Sequence, residues 1–127
     1  MQKVPVLFTI TNGTYFNDLR FDPWDIERDA TKYGGTLPVI AHPPCQLWGA
    51  LAFVNYARWG GEHNKPYNDG GLFKFALDTV RRVGGVIEHP AKSHAFKVYG
   101  LGKPEKGKWI RSEDGVGYIC EVWQSIS

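Results

Sequence analysis

Residues 72–83 constrain this chain more than any other stretch. Leu72, Phe73, Ala76, Leu77, Val80 and Val83 fall on one stripe of a helix, while Lys74, Asp78, Arg81 and Arg82 fall on the other. Asp69 stands where a cap is needed, and Gly84-Gly85 where a helix stops. Short apolar runs flank the helix, Leu37-Pro38-Val39-Ile40-Ala41 before it and Val86-Ile87 after it. Strand, helix, strand in this succession favours parallel pairing through a right-handed crossover, and so an α/β class. Upstream, residues 4–10 read as a first strand ended by Asn12-Gly13, a pair that readily supplies positive φ. Asp22-Pro23-Trp24 reads as the start of a helix running to about Tyr33, because Pro suits the first helical position, with Gly34-Gly35 as its stop. Residues 47–59 suit a second helix and residues 62–69 a polar loop. A short helix over 92–99 follows Pro90, and residues 109–111 with 118–123 form a hairpin or paired edge turned by Glu113-Asp114-Gly115.

A length of 127 residues fits one domain with a core of its own. The expected architecture is a small Rossmann-like three-layer domain with a mainly parallel sheet and a C-terminal hairpin or edge strand. A formal charge of +2, with lysines and arginines spread along the chain, gives no electrostatic footprint for nucleic acid; such binding is allowed but not indicated. Aromatic residues make up 14% of the chain, and most of its five tryptophans are expected to supply bulky core. Two cysteines, Cys45 and Cys120, and an N-terminus unlike a signal peptide predict a reduced, cytoplasmic protein instead of one held by a disulfide. No stretch approaches the roughly 20 apolar residues that span a bilayer, so no membrane association is expected.

The chemistry concentrates at two strand ends. His42-Pro43-Pro44-Cys45-Gln46 follows the run at 37–41, and Glu88-His89-Pro90 follows Val86-Ile87. In open α/β sheets, ligands bind at the carboxyl ends of the strands, so a thiol and an acid delivered there make a candidate site. A thiolate is a strong nucleophile, and a neighbouring carboxyl can exchange a proton with the ring under attack, a pairing that suits pyrimidines. The competing reading makes Cys45 a packing residue and Glu88 a cap near Ser93 and His94. In the first reading His42 and Gln46 shape the turn, Trp48 stacks on a ligand, His89 lies on the substrate side, and the loop at 62–69 covers the site. His42, Cys45, His89 and His94 include zinc-type ligands, but their spacing is that of no ordinary zinc motif, and a metal-free thiol site is expected. Gly60-Gly61 and Gly70-Gly71 read as loop hinges, since neither lies in a phosphate-binding context.

These motifs carry a resemblance. Pro44-Cys45-Gln46 resembles the Pro-Cys-Gln motif of DNA cytosine-5 methyltransferases, and Val86-Ile87-Glu88-His89-Pro90 is similar to the segment holding their Glu-Asn-Val motif. Gly71-Leu72-Phe73-Lys74-Phe75-Ala76 with Val80-Arg81-Arg82 resembles the helix before that glutamate, and Gly117-Tyr118 the strand after it, so the similarity spans residues 37–124. The resemblance implies Cys45 as the nucleophile adding to cytosine C6, Glu88 as the group contacting N3 and the 4-amino group, and Pro44 as the shaper of the turn. It also implies S-adenosylmethionine as cofactor. The family's cofactor strand runs into Asp-Leu-Phe and a glycine-rich turn; Leu7-Phe8 is kept here, followed by Thr9-Ile10-Thr11-Asn12-Gly13 without that glycine pattern, and a ribose-binding acid is sought in Asp22 or Asp25. The Gln-x-Arg-x-Arg motif and target-recognition region do not occur within the 127 residues. A Pro-Pro-Cys thiol also occurs in thymidylate synthases, which share C6 addition, and is read as convergent. The expectation is a compact methylase-like relative of the catalytic core, of the kind a phage carries, acting on nucleotide or DNA. The alternative is a non-catalytic module that binds a nucleotide or nucleotide-derived signal, as a phage immune-evasion protein would. A homodimer would complete the binding surfaces of so small a domain.

Overall fold

The computed structural model describes residues 2–122. Four parallel strands, β1 (Val4–Leu7), β2 (Phe21–Trp24), β3 (Val39–Ala41) and β4 (Gly85–Ile87), form one sheet in the order β2-β1-β3-β4. Helices α1 (Ala50–Trp59), α2 (Leu72–Val83) and α3 (Ala95–Val98) flank it, and β5 (Ile110–Arg111) pairs antiparallel with β6 (Tyr118–Ile119). The α/β class, the mainly parallel sheet and the C-terminal hairpin are as the sequence predicts. Trp123, expected in the last strand, lies outside the described residues. Among the described residues, no helix is long and apolar enough to cross a membrane.

The second element departs from expectation. Phe21-Asp22-Pro23-Trp24 is a strand paired with β1, not the start of a helix, and only a 3-10 turn over Ala30–Lys32 remains of the predicted 22–33 helix. Pro23 is tolerated because β2 is the sheet's edge and a missing N–H on the open side costs nothing. Asp29 caps that 3-10 turn, accepting Thr31 N at 3.0 Å, and Asp25 caps the turn before it, its carboxylate accepting from Arg28 N at 2.9 Å and Thr11 Oγ1 at 2.8 Å. Asp22 instead pairs with Arg28, whose guanidinium lies 3.7 Å from the centre of the Trp24 ring. β1 is also shorter than predicted: Phe8, at φ 63°, turns the chain out of the sheet after Leu7.

Two clusters make the core. Leu7, Ala30, Tyr33, Val39, Ala41 and Ala76 are buried between sheet and helix, with Phe75, Val80, Val83 and Ile87 packed against them. Trp48, Phe73, Leu77, Ala95 and Leu101 form the second, and Ile87 touches both. The predicted stripe of α2 is thus divided between sheet and Trp48. On its outer face Lys74 pairs with Asp78 at 2.7 Å. Arg81 and Arg82 tie α2 to Asp114 in the hairpin turn and to the carbonyl of Gly35.

Asp69 joins these pieces. One carboxylate oxygen takes the indole N–H of Trp48 at 3.0 Å and the N–H of Phe73 at 2.9 Å, while the other takes Gly71 N at 2.9 Å. Asp69→Ala therefore removes the α2 cap and orphans a buried indole donor together. Chemical denaturation should show a loss of about 2–4 kcal/mol, far above the few tenths typical of a surface change.

Candidate active site

The strand order reverses direction at β1 and β3: the chain leaves β1 toward β2 on one side, and leaves β3 toward β4 on the other. Such a switch point opens a crevice at the carboxyl ends of the strands. A cleft of about 340 Å³ lies there, lined by Phe8, Thr9, Ile10, Gly13, Thr14, Tyr15 and His42. Gly13 is needed for this turn, since a Cβ would stand 2.9 Å from the carbonyl oxygen of Ile10.

β3 and β4 pair with Ala41 opposite Ile87, so the residues that follow, His42 and Glu88, emerge side by side. Glu88 N donates to Ala41 O at 2.9 Å and His42 N to Leu7 O at 3.0 Å, which continues the ladder one step past the strands. His42 Nδ1 lies 3.5 Å from Glu88 Oε2, and its Nε2 lies 3.3 Å from the Tyr15 hydroxyl. Sequence reasoning placed His42 in the turn on the substrate side, without either of these partners. The Tyr15 contact spans 27 positions in sequence and follows from the β1–β2 crossover, a connection that no local pattern reveals.

Cys45 is exposed, as are Pro44, Gln46 and Glu88, and both Cys45 and Cys120 are free thiols. The Cys45 carbonyl accepts Trp48 N at 3.0 Å, opening a 3-10 turn over Gln46–Trp48. His89 supports this loop from behind. Ser93 Oγ accepts Ala95 N at 3.1 Å and lies 2.7 Å from His89 Nδ1, so the serine proton goes to Nδ1 and Nε2–H donates to Pro44 O at 3.4 Å. His89, expected on the substrate side, is thus a neutral clamp on the thiol loop.

Burial holds the His89 pKa below its usual 6.5, against the opposing pull of the Pro44 carbonyl. An imidazole harder to protonate when folded takes up its proton more readily when unfolded. Stability is therefore full above the unfolded value and falls as pH drops from about 6.5 toward the lower folded value. The drop in Tm from about pH 7 to about pH 5 should be smaller in His89→Asn than in the unmodified protein.

Trp48 corrects a second expectation. It is 1% exposed, stacked on Tyr67 with ring centres 5.2 Å apart and packed on Phe73 and Tyr99, so it presents no face to a ligand. Its effect on the site is indirect. Tyr67, at φ 70°, is pinned by that stack, by its N–H on Leu47 O at 2.9 Å and by its hydroxyl 2.8 Å from His94 Nδ1. These contacts fold the loop at 62–69 against the thiol turn. Between them lies a second recess of about 220 Å³, lined by Pro44, Gln46, Leu47, His63, Asn68, Asp69 and Leu72. The loop expected to cover a ligand forms one wall of this recess, and His63, Asn68 and Leu72 are the lining residues that motif reading passed over.

The zinc constellation does not assemble: His89 and His94 are committed to Ser93 and Tyr67, and among the described residues no group of three or more His, Cys, Asp or Glu could hold a metal ion. The turn after β1 does not fit S-adenosylmethionine either. Asp25, the acid nearest that turn in sequence after β2, is 7% exposed and saturated by Thr11 and Arg28, while Asp22 is paired with Arg28. In comparisons with known proteins, no family model, curated protein or solved structure matches this chain.

Proposed function

We propose that this is a methylase-like protein whose Cys45 and Glu88 act on a pyrimidine, with cytosine as the ring. The observation that carries the reading is the delivery of an exposed thiol and an exposed carboxyl to the same edge of two adjacent parallel strands, beside a recess walled by Pro44 and Gln46. The Cys45 thiolate attacks C6; the S–C6 bond forms and the C5–C6 π pair moves toward C4 and N3. N3 takes the proton of the Glu88 carboxyl, which stabilises the adduct. C5 is then electron-rich and accepts a proton from solvent. Loss of either proton from C5, with return of the N3 proton to Glu88 and departure of the thiolate, restores the ring. No methyl-transfer step is derived, because the cofactor turn does not fit. A reducing, cytoplasmic setting keeps Cys45 available as a thiol.

The test is covalent capture with an electron-poor analogue, 2-pyrimidinone as a nucleotide and within an oligonucleotide. Peptide mass spectrometry should find the adduct on Cys45, and a base-free Cys45 after incubation with both probes contradicts the reading.

A second reading rests on the β1 cleft. Thr9 Oγ1, on its lining, is buried without a hydrogen-bond partner, as in a pocket that a polar ligand completes. Here the protein is a module binding a nucleotide or nucleotide-derived signal. Equal calorimetric affinity for such a ligand in the unmodified protein and in Cys45→Ser, with no adduct, favours this second reading.

A further inference from the structure

We propose that His42 is a positioning residue for the Glu88 carboxyl, held by Tyr15 in the tautomer that carries the ring proton on Nδ1. This rests on the pyrimidine reading of the same site. Tyr15 stands in the 3-10 turn over Thr14–Asn17, its ring edge-on to Phe21 with centres 5.0 Å apart and tilted over His42 at 5.8 Å. Burial, and then the charge of Glu88, raise its pKa above 10.0, so the phenol keeps its proton and remains a donor. A phenol donating to Nε2, 3.3 Å away, requires that nitrogen to be the acceptor, which leaves the proton of a neutral ring on Nδ1. Nδ1 is the nitrogen facing Glu88 Oε2 at 3.5 Å. The Tyr15 hydrogen bond is long, and His42 Nδ1 and Glu88 Oε2 approach without yet forming one, as polar groups in ligand-free sites often do before a substrate tightens them.

The consequence is a division of labour within one carboxyl group. Oε2 is the oxygen beside His42, so Oε1 is the oxygen presented to N3 and the 4-amino group. When N3 takes the Glu88 proton, the carboxylate left behind already has a donor in place. The ionisable groups around His42 are Tyr15 from the turn after β1 and Glu88 from the end of β4, with Cys45 three residues along its own loop.

The test pairs a spectroscopic readout with variants that share volume but not donor position. Nitrogen-15 NMR of the neutral His42 ring should show the Nδ1–H form, and Tyr15→Phe should move it toward Nε2–H. In His42→Asn the amide nitrogen overlays Nδ1, so C5 exchange should stay within about threefold. In His42→Gln the amide lies where Nε2 was, and exchange should fall about tenfold or more. An Nε2–H ring in the unmodified protein, or equal exchange in the two variants, overturns the assignment alone. No exchange by the unmodified protein overturns the pyrimidine reading and this assignment with it.

Discussion

Replacing Cys45 with serine is expected to abolish both adduct formation and cytosine C5 exchange, by at least about a thousandfold, while leaving the fold in place. In the proposed reaction the sulfur is the atom that bonds C6, and a serine hydroxyl ionises too weakly near neutral pH to replace it. Cys45 is exposed, so the stability cost should stay within about 0.5 kcal/mol. The two halves of the result matter together. Lost chemistry with an unchanged Tm assigns the effect to the nucleophile, whereas retained exchange removes Cys45 from the mechanism.

Gly85→Ala should produce the largest loss of stability. Gly85 opens β4 at φ 125°, and a Cβ there would lie 1.9 Å from the carbonyl oxygen of Val39 and 2.7 Å from its nitrogen. These are backbone atoms of the neighbouring strand, so no side-chain adjustment relieves the clash. Either β4 separates from β3 or Gly85 leaves its conformation, at about 3 kcal/mol or more. Because β4 positions Glu88 beside His42, any folded remnant should lose C5 exchange along with stability. Gly71→Ala is the control: its backbone is left-handed helical at φ 80° and ψ 16°, and nothing lies within 4 Å of the added atom, so the cost should be about 1 kcal/mol, the backbone part alone. Equal losses at the two positions, measured by urea unfolding, contradict the close approach of β3 and β4.

The parts of the fold legible in the sequence are those with one local cause. The α2 stripe, its Asp69 cap and its Gly84 stop are each read within a turn or two of the helix, and the apolar runs at 39–41 and 86–87 are too short for anything but strands beside it. Asp22-Pro23 misleads because it has the chemistry of a helix start, while the pairing that makes it a strand comes from β1, seventeen positions away at Val4 and Phe21. Trp48 misleads for a related reason. Proximity to the thiol suggests a ligand platform, but the indole is claimed by Asp69, Phe73 and Tyr99, all distant in sequence.

The site divides along the same line. Cys45 and Glu88 are visible because each lies in the segment that leaves a strand end. The Tyr15–His42–Glu88 line is not, since it needs the ends of β1, β3 and β4 to converge. The acid sought for a cofactor, Asp25, is present but is consumed as the cap of its own turn.

The most direct test of the central claim is cytosine C5 hydrogen exchange in deuterated buffer, followed by mass spectrometry on dCMP and on a DNA oligonucleotide, with Cys45→Ser alongside. It requires no methyl donor, so it interrogates the thiol and the acid alone. Deuterium entering C5 with the unmodified protein but not with Cys45→Ser is the predicted result. No deuterium in either substrate, from protein shown to be folded, contradicts C6 addition and leaves the nucleotide-binding module as the reading of this fold.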